Sequence, residues 1–74
     1  MKLNIELYAT FRNGRFKDEQ REYPDGITVG QVVDDLGINR SEIGMALVNG
    51  RHASVEQVLS EGQVVALFSM LGGG

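Results

Sequence analysis

Residues 28–37 read TVGQVVDDLG, and this stretch decides the fold because the spacing of apolar residues changes within it. Val29, Val32, Val33 and Leu36 fall at i, i+3, i+4 and i+7, one stripe along a helix. Thr28 stands where an N-cap belongs, and Gly37 where a left-handed C-cap belongs. Valine is a middling helix former, so packing against a sheet must carry this helix. Asp34 and Asp35 lie off the stripe, near the C-terminal end, where the macrodipole disfavours negative charge. They read as a solvated face.

On both sides of this helix the pattern is that of strands. Leu3, Ile5 and Leu7 alternate with Lys2, Asn4, Glu6 and Tyr8, a period of two. Thr10 to Arg15 contains Asn13-Gly14, a hairpin signal leading into a polar strand from about Phe16 to Tyr23. The charges Lys17, Asp18, Glu19, Arg21 and Glu22 suit an edge position, and Pro24-Asp25-Gly26 supplies a turn. Beyond the helix, Met45 to Val48 reads as a central strand. Asn49-Gly50 is a second hairpin turn into a short strand over Arg51 to Ala53. Ser54 to Leu59 reads as a helical turn capped by Ser54. Glu61-Gly62 then turns the chain into Val64–Phe68, the last and most buried strand.

One helix among several strands implies an α+β fold, a mixed sheet of four to five strands packed on the helix. A β-grasp topology places the first and last strands side by side and parallel in the centre. Periodicity alone does not fix that order. At 74 residues the chain is expected to form one β-grasp domain over residues 1–68 and a flexible glycine-rich tail over 69–74.

Composition excludes several functions. The net charge of −3 argues against nucleic-acid binding. Positive charge is concentrated in residues 1–23, and the remainder carries only Arg40 and Arg51 against six carboxylates. There is no Cys, so no disulfide framework, thiolate metal site or Cys nucleophile exists, and His52 is the single His. No apolar run approaches the ~20 residues of a membrane span, and the alternating start is unlike a signal peptide. The expected location is the cytoplasm. No phosphate-binding loop or nucleophile elbow is present. Asp18/Glu19 and Asp34/Asp35 are adjacent in sequence, so their side chains diverge and do not form an acid/base pair. The chain is not expected to be an enzyme by itself, nor to hold a metal.

The remaining reactive group is the carboxylate of Gly74. With a reference pKa of about 3.3–3.7 it is ionised and a poor electrophile at neutral pH. It accepts sulfide or an amine only once activated, most simply as a mixed anhydride with AMP, in a site on another protein. Ser69 to Gly74 can reach roughly 20 Å at ~3.3–3.6 Å per residue. Gly72, Gly73 and Gly74 suit passage through a narrow channel. Phe68, Met70 and Leu71 are the candidates for docking on the partner, offsetting the entropy of ordering the tail.

The whole chain resembles the MoaD/ThiS sulfur carriers of ubiquitin-like β-grasp fold. The segments that carry the resemblance are LYATFR, PDGITVGQVVDDLGI, ALVNGRHAS, LSEGQVVALF and the closing glycines. The resemblance implies that Gly74 bears the thiocarboxylate, with Gly73 as the other half of the family's Gly-Gly. It implies an E1-like adenylating enzyme that consumes ATP, no stably bound cofactor, and delivery to a molybdopterin or tungstopterin synthase large subunit or to a thiazole synthase. LYATFR and the chain length lean toward the pterin type. Two features depart from the pattern: Ser69-Met70 stands where many pterin-type members have Pro-Pro, and Gly72 is a third glycine. The free protein is expected to be a monomer. Two further readings stay open: a ubiquitin-like modifier conjugated through Gly74, and a non-covalent ubiquitin-like interaction module.

Overall fold

The computed structural model describes residues 1–70. Five strands form one sheet: β1 (Lys2–Tyr8), β2 (Asp18–Glu22), β3 (Ile43–Val48), β4 (Arg51–His52) and β5 (Val64–Ser69). Their order is β2-β1-β5-β3-β4, so the first and last strands lie together in the centre. They run parallel, with Ile5 opposite Val65 and Leu7 opposite Leu67, whereas every other pairing is antiparallel. The polar strand β2 occupies an edge, as its charges suggest. A single α-helix, α1 (Val29–Asp35), joins β2 to β3.

Alternation sends Leu3, Ile5 and Leu7 of β1, Val65 and Leu67 of β5, and Ala46 and Val48 of β3 to one face of the sheet. Val29, Val32 and Val33 of α1 join the same buried cluster, which Phe11, Tyr23, Ile27, Ile38 and Leu59 complete. A stripe of valines makes a poor isolated helix, so this burial holds it.

The N-terminus of α1 is fully satisfied. Thr28 Oγ1 accepts the Gln31 N–H at 3.2 Å, and Gln31 Oε1 accepts the Thr28 N–H at 2.9 Å, a reciprocal capping box. The Val29 and Gly30 N–H groups donate to the carbonyls of Gln57 and Val55. All four donors that a helix start leaves open therefore have partners. Thr28→Ala should cost about 1 kcal/mol, a fall of roughly 4–8 °C in Tm by thermal denaturation.

This capping explains one departure from the sequence reading. Ser54–Leu59 is not a helical turn. A single turn at Val55–Glu56 is followed by extended chain, with Val58 bridged to Thr28. The segment keeps its carbonyls for the start of α1, which an internal helix would have consumed. A second departure concerns Asn13-Gly14. The chain leaves β1 through a 3-10 turn at Ala9–Arg12 that carries Phe11 into the core, so residues 9–17 form a long connection. Burial of the phenyl ring overrides the local preference for a tight hairpin. Asn13 sits at φ −66°, outside the left-handed region.

Asn49-Gly50 behaves as read. Both residues have positive φ, 49° and 81°, as a two-residue turn between Val48 and Arg51 requires. The turn is tied to β5, because Asn49 Oδ1 accepts the Val64 N–H at 2.8 Å. Asp34 and Asp35 are exposed yet paired. Arg40 donates to both oxygens of Asp34 at 3.0 and 2.9 Å, while Asp35 accepts from Tyr23 Oη at 3.0 Å. The hydrogen bond from Arg40 holds the Asp34 carboxyl below its usual value. Such a solvent-exposed pair adds little stability. No helix among the described residues is long and apolar enough to cross a membrane.

Candidate functional site

The sheet face away from α1 carries the side chains that neighbour the end of β5. Alternation along β5 buries Leu67 beneath the helix and turns Phe68 to the opposite face. The parallel register puts Tyr8 of β1 beside Phe68, and the two rings stack with centroids 4.4 Å apart and planes within 6°. The Arg12 guanidinium lies over the Tyr8 ring, 4.9 Å from its centre, and its Nε donates to the Leu7 carbonyl at 2.6 Å. On the other flank of β5, Met45 is opposite Phe68 and Leu47 opposite Ala66, both half-buried. Tyr8, Phe68, Met45 and Leu47 thus share the helix-free face.

Tyr8 Oη donates to Glu6 Oε1 at 2.9 Å, and this bond raises the Tyr8 pKa above its ordinary value. The phenol is therefore neutral at physiological pH and orients the stacked ring. It offers no base or nucleophile. The face suits docking, with apolar surface and polar groups at its margins.

Of the residues singled out from the sequence, Phe68 is half-buried on this face and Met70, at the end of the described chain, is 59% exposed. Leu71, Gly72, Gly73 and Gly74 lie outside the described residues. β5 runs one residue further than expected, through Ser69, which is buried. Tyr8, Met45 and Leu47 were missed. Tyr8 carries a readable signal: it occupies the solvent phase of the β1 alternation, so a parallel β1/β5 pair brings it to Phe68. His52 lies opposite Leu47 on the short edge strand β4 and is exposed.

A mixed five-stranded sheet on one main helix, with parallel central β1 and β5, defines a ubiquitin-like β-grasp domain. The ThiS family model matches residues 5–74. The chain belongs to the ThiS family, ubiquitin-like sulfur carriers that are not themselves enzymes. Its solved structural relatives agree in fold. The Haloferax volcanii HVO 2177 protein is 28% identical with a TM-score of 0.80, the match covering 100% of this chain and 87% of that one. A candidate molybdopterin converting factor subunit 1 from Pyrococcus furiosus is 24% identical with a TM-score of 0.75, over 96% and 99% of the two chains. SAMP1 of H. volcanii, a small archaeal modifier protein, is 21% identical with a TM-score of 0.77, over 100% of both. No curated protein matches the chain.

Proposed function

We propose that this protein carries sulfur as a thiocarboxylate on Gly74. The observation that carries the reading is the setting of the tail. The central strand β5 delivers the chain at Met70, beside the apolar Tyr8–Phe68–Met45 face, with Leu71 and three glycines following in the sequence. Membership of the ThiS family supports it.

In this reading an E1-like enzyme docks on that face, and the Gly74 carboxylate attacks the α-phosphorus of ATP. Pyrophosphate leaves, and the carboxylate becomes an acyl-adenylate. A sulfide-level nucleophile then attacks the acyl carbon and displaces AMP, leaving the thiocarboxylate. The glycines at 72–74 place no Cβ beside the reacting carbon. The domain acts in the cytoplasm, holds no cofactor of its own, and passes sulfur to a second enzyme. The likeness to a molybdopterin converting factor subunit favours a pterin synthase as that recipient over a thiazole synthase.

ATP–pyrophosphate exchange by the cognate adenylating enzyme tests this reading, since exchange must depend on the carrier and stop when Gly74 is absent. Exchange that ignores the carrier contradicts it. Docking on the sheet face has its own test. Phe68→Ser should raise the KM for the carrier about tenfold, the usual effect of losing an aromatic anchor, with a small change in Tm because the ring lies outside the buried cluster. An unchanged KM removes Phe68 from the interface.

The likeness to SAMP1 favours a second reading, transfer of the activated glycine to a lysine amine. Isopeptide-linked conjugates in lysate would establish it, and the two roles are chemically compatible.

A further inference from the structure

The end of β5 is held on two flanks. Ser69 is buried although polar, and its Oγ accepts the Thr10 N–H at 3.1 Å from the 3-10 turn that follows β1. That turn begins at Ala9 with φ 57°, a region non-glycine residues rarely occupy. Such strain persists where the surroundings impose it, and here it accompanies the bond from Thr10 to β5. On the other flank, the Met70 N–H donates to the Glu42 carbonyl at 3.0 Å. Gly44 lies against this point, at the irregularity in the β3–β5 register. A Cβ at Gly44 would stand 3.1 Å from the Ser69 carbonyl oxygen and 3.2 Å from Met70 Cα. A side chain at this position requires the strand end to give by a few tenths of an ångström.

We propose that Thr10, Ser69, Gly44 and Glu42 form a clasp that fixes where the tail leaves the sheet, making Ser69 a positioning residue for delivery of the Gly74 carboxylate. This inference rests on the sulfur-carrier reading. With the clasp closed, the reach from the sheet to the Gly74 carboxylate is set by the four residues 71–74, at most roughly 14 Å at ~3.3–3.6 Å per residue. Opening the clasp frees Ser69 and Met70, which must then be ordered on binding. Their entropy is then lost in the complex instead of during folding. Affinity falls, while the carboxylate, once seated, reacts as before.

The test uses the full chain and its adenylating enzyme, with ATP–pyrophosphate exchange measured against carrier concentration. Ser69→Ala removes the acceptor, Ser69→Thr keeps a hydroxyl, and Gly44→Ala pushes the strand end outward without altering a docking side chain. Ser69→Ala and Gly44→Ala should each raise KM roughly tenfold, with kcat held within about twofold. Hydrogen exchange at the Met70 amide should accelerate in both, and Ser69→Thr should restore wild-type behaviour. Should Ser69→Ala fail to fold, Gly44→Ala gives the decision alone. A folded variant with rapid Met70 exchange and wild-type KM overturns the proposal. So does a loss of kcat that merely tracks the fall in Tm, the mark of an ordinary structural residue. Wild-type carrier that supports no exchange at all overturns the sulfur-carrier reading first, and the clasp's role with it.

Discussion

Deleting Gly74 is expected to abolish sulfur loading while leaving the melting temperature of the domain unchanged. The shortened chain still ends in a glycine carboxylate, but that group lies ~3.3–3.6 Å short of its former position. The clasp makes the shortfall hard to recover, because the chain is tied to the sheet as far as Met70. A displacement of about 1 Å already costs on the order of 100-fold in a positioned reaction, so a loss of at least 1000-fold is expected. The fold has no reason to respond. Among the described residues, the buried cluster ends at Leu67 and the hydrogen bonds that close β5 end at Met70. Gly74→Ala separates length from identity: it restores the reach and adds one Cβ, so its activity should fall between wild type and the deletion. Adenylation kinetics with paired thermal melts check both. Substantial loading of the deletion variant would place the reacting group elsewhere.

The largest effect on stability is expected from Leu67→Ala. Leu67 is fully buried in β5, between Leu7 of β1 and Ala46 of β3, and belongs to the cluster that includes the helix valines. Truncating such a side chain costs about 2–5 kcal/mol, from lost transfer energy and the cavity left behind. A domain of this length has roughly 4–11 kcal/mol to lose, at about 0.05–0.15 kcal/mol per residue. The variant should therefore lose half its stability or unfold at ambient temperature, as denaturant titration will show. Phe68, the next residue, gives the contrast. It lies on the other face, so its loss should change partner affinity far more than stability. If Leu67→Ala proved neutral, the helix would not be packed on this face of the sheet.

Much of this was readable from local pattern. The shift from the alternation of Leu3, Ile5 and Leu7 to the helical stripe of Val29, Val32 and Val33 marks where sheet gives way to helix. Thr28 and Asn49-Gly50 mark boundaries by local chemistry, the capping box with Gln31 and the paired positive φ angles. The misreadings share a physical cause, because both segments serve something distant. Val55 and Gln57 give their carbonyls to the start of α1, and residues 9–12 give Phe11 to the core. Asn13-Gly14 has the chemistry of a tight turn but not the surroundings.

The site divides in the same way. Phe68 and Met70 stand out as apolar residues ahead of a glycine run, a feature local to the sequence. Tyr8, Met45 and Leu47 join Phe68 only through the pairing of strands far apart in the chain. Ser69 is the extreme case. Nothing in its neighbours indicates a hydroxyl buried against Thr10, and as a small polar residue after a strand it reads as the beginning of the tail.

The most direct measurement is the intact mass of the carrier after incubation with its adenylating enzyme, ATP and a sulfide-generating source, followed by fragmentation to locate the change. Sulfur carriage on the tail predicts the mass gain for replacement of one oxygen by sulfur, confined to Gly74, with a thiol-specific alkylating agent then adding its tag at that residue alone. An unaltered mass with an active cognate enzyme, or sulfur found at any other residue, would contradict it.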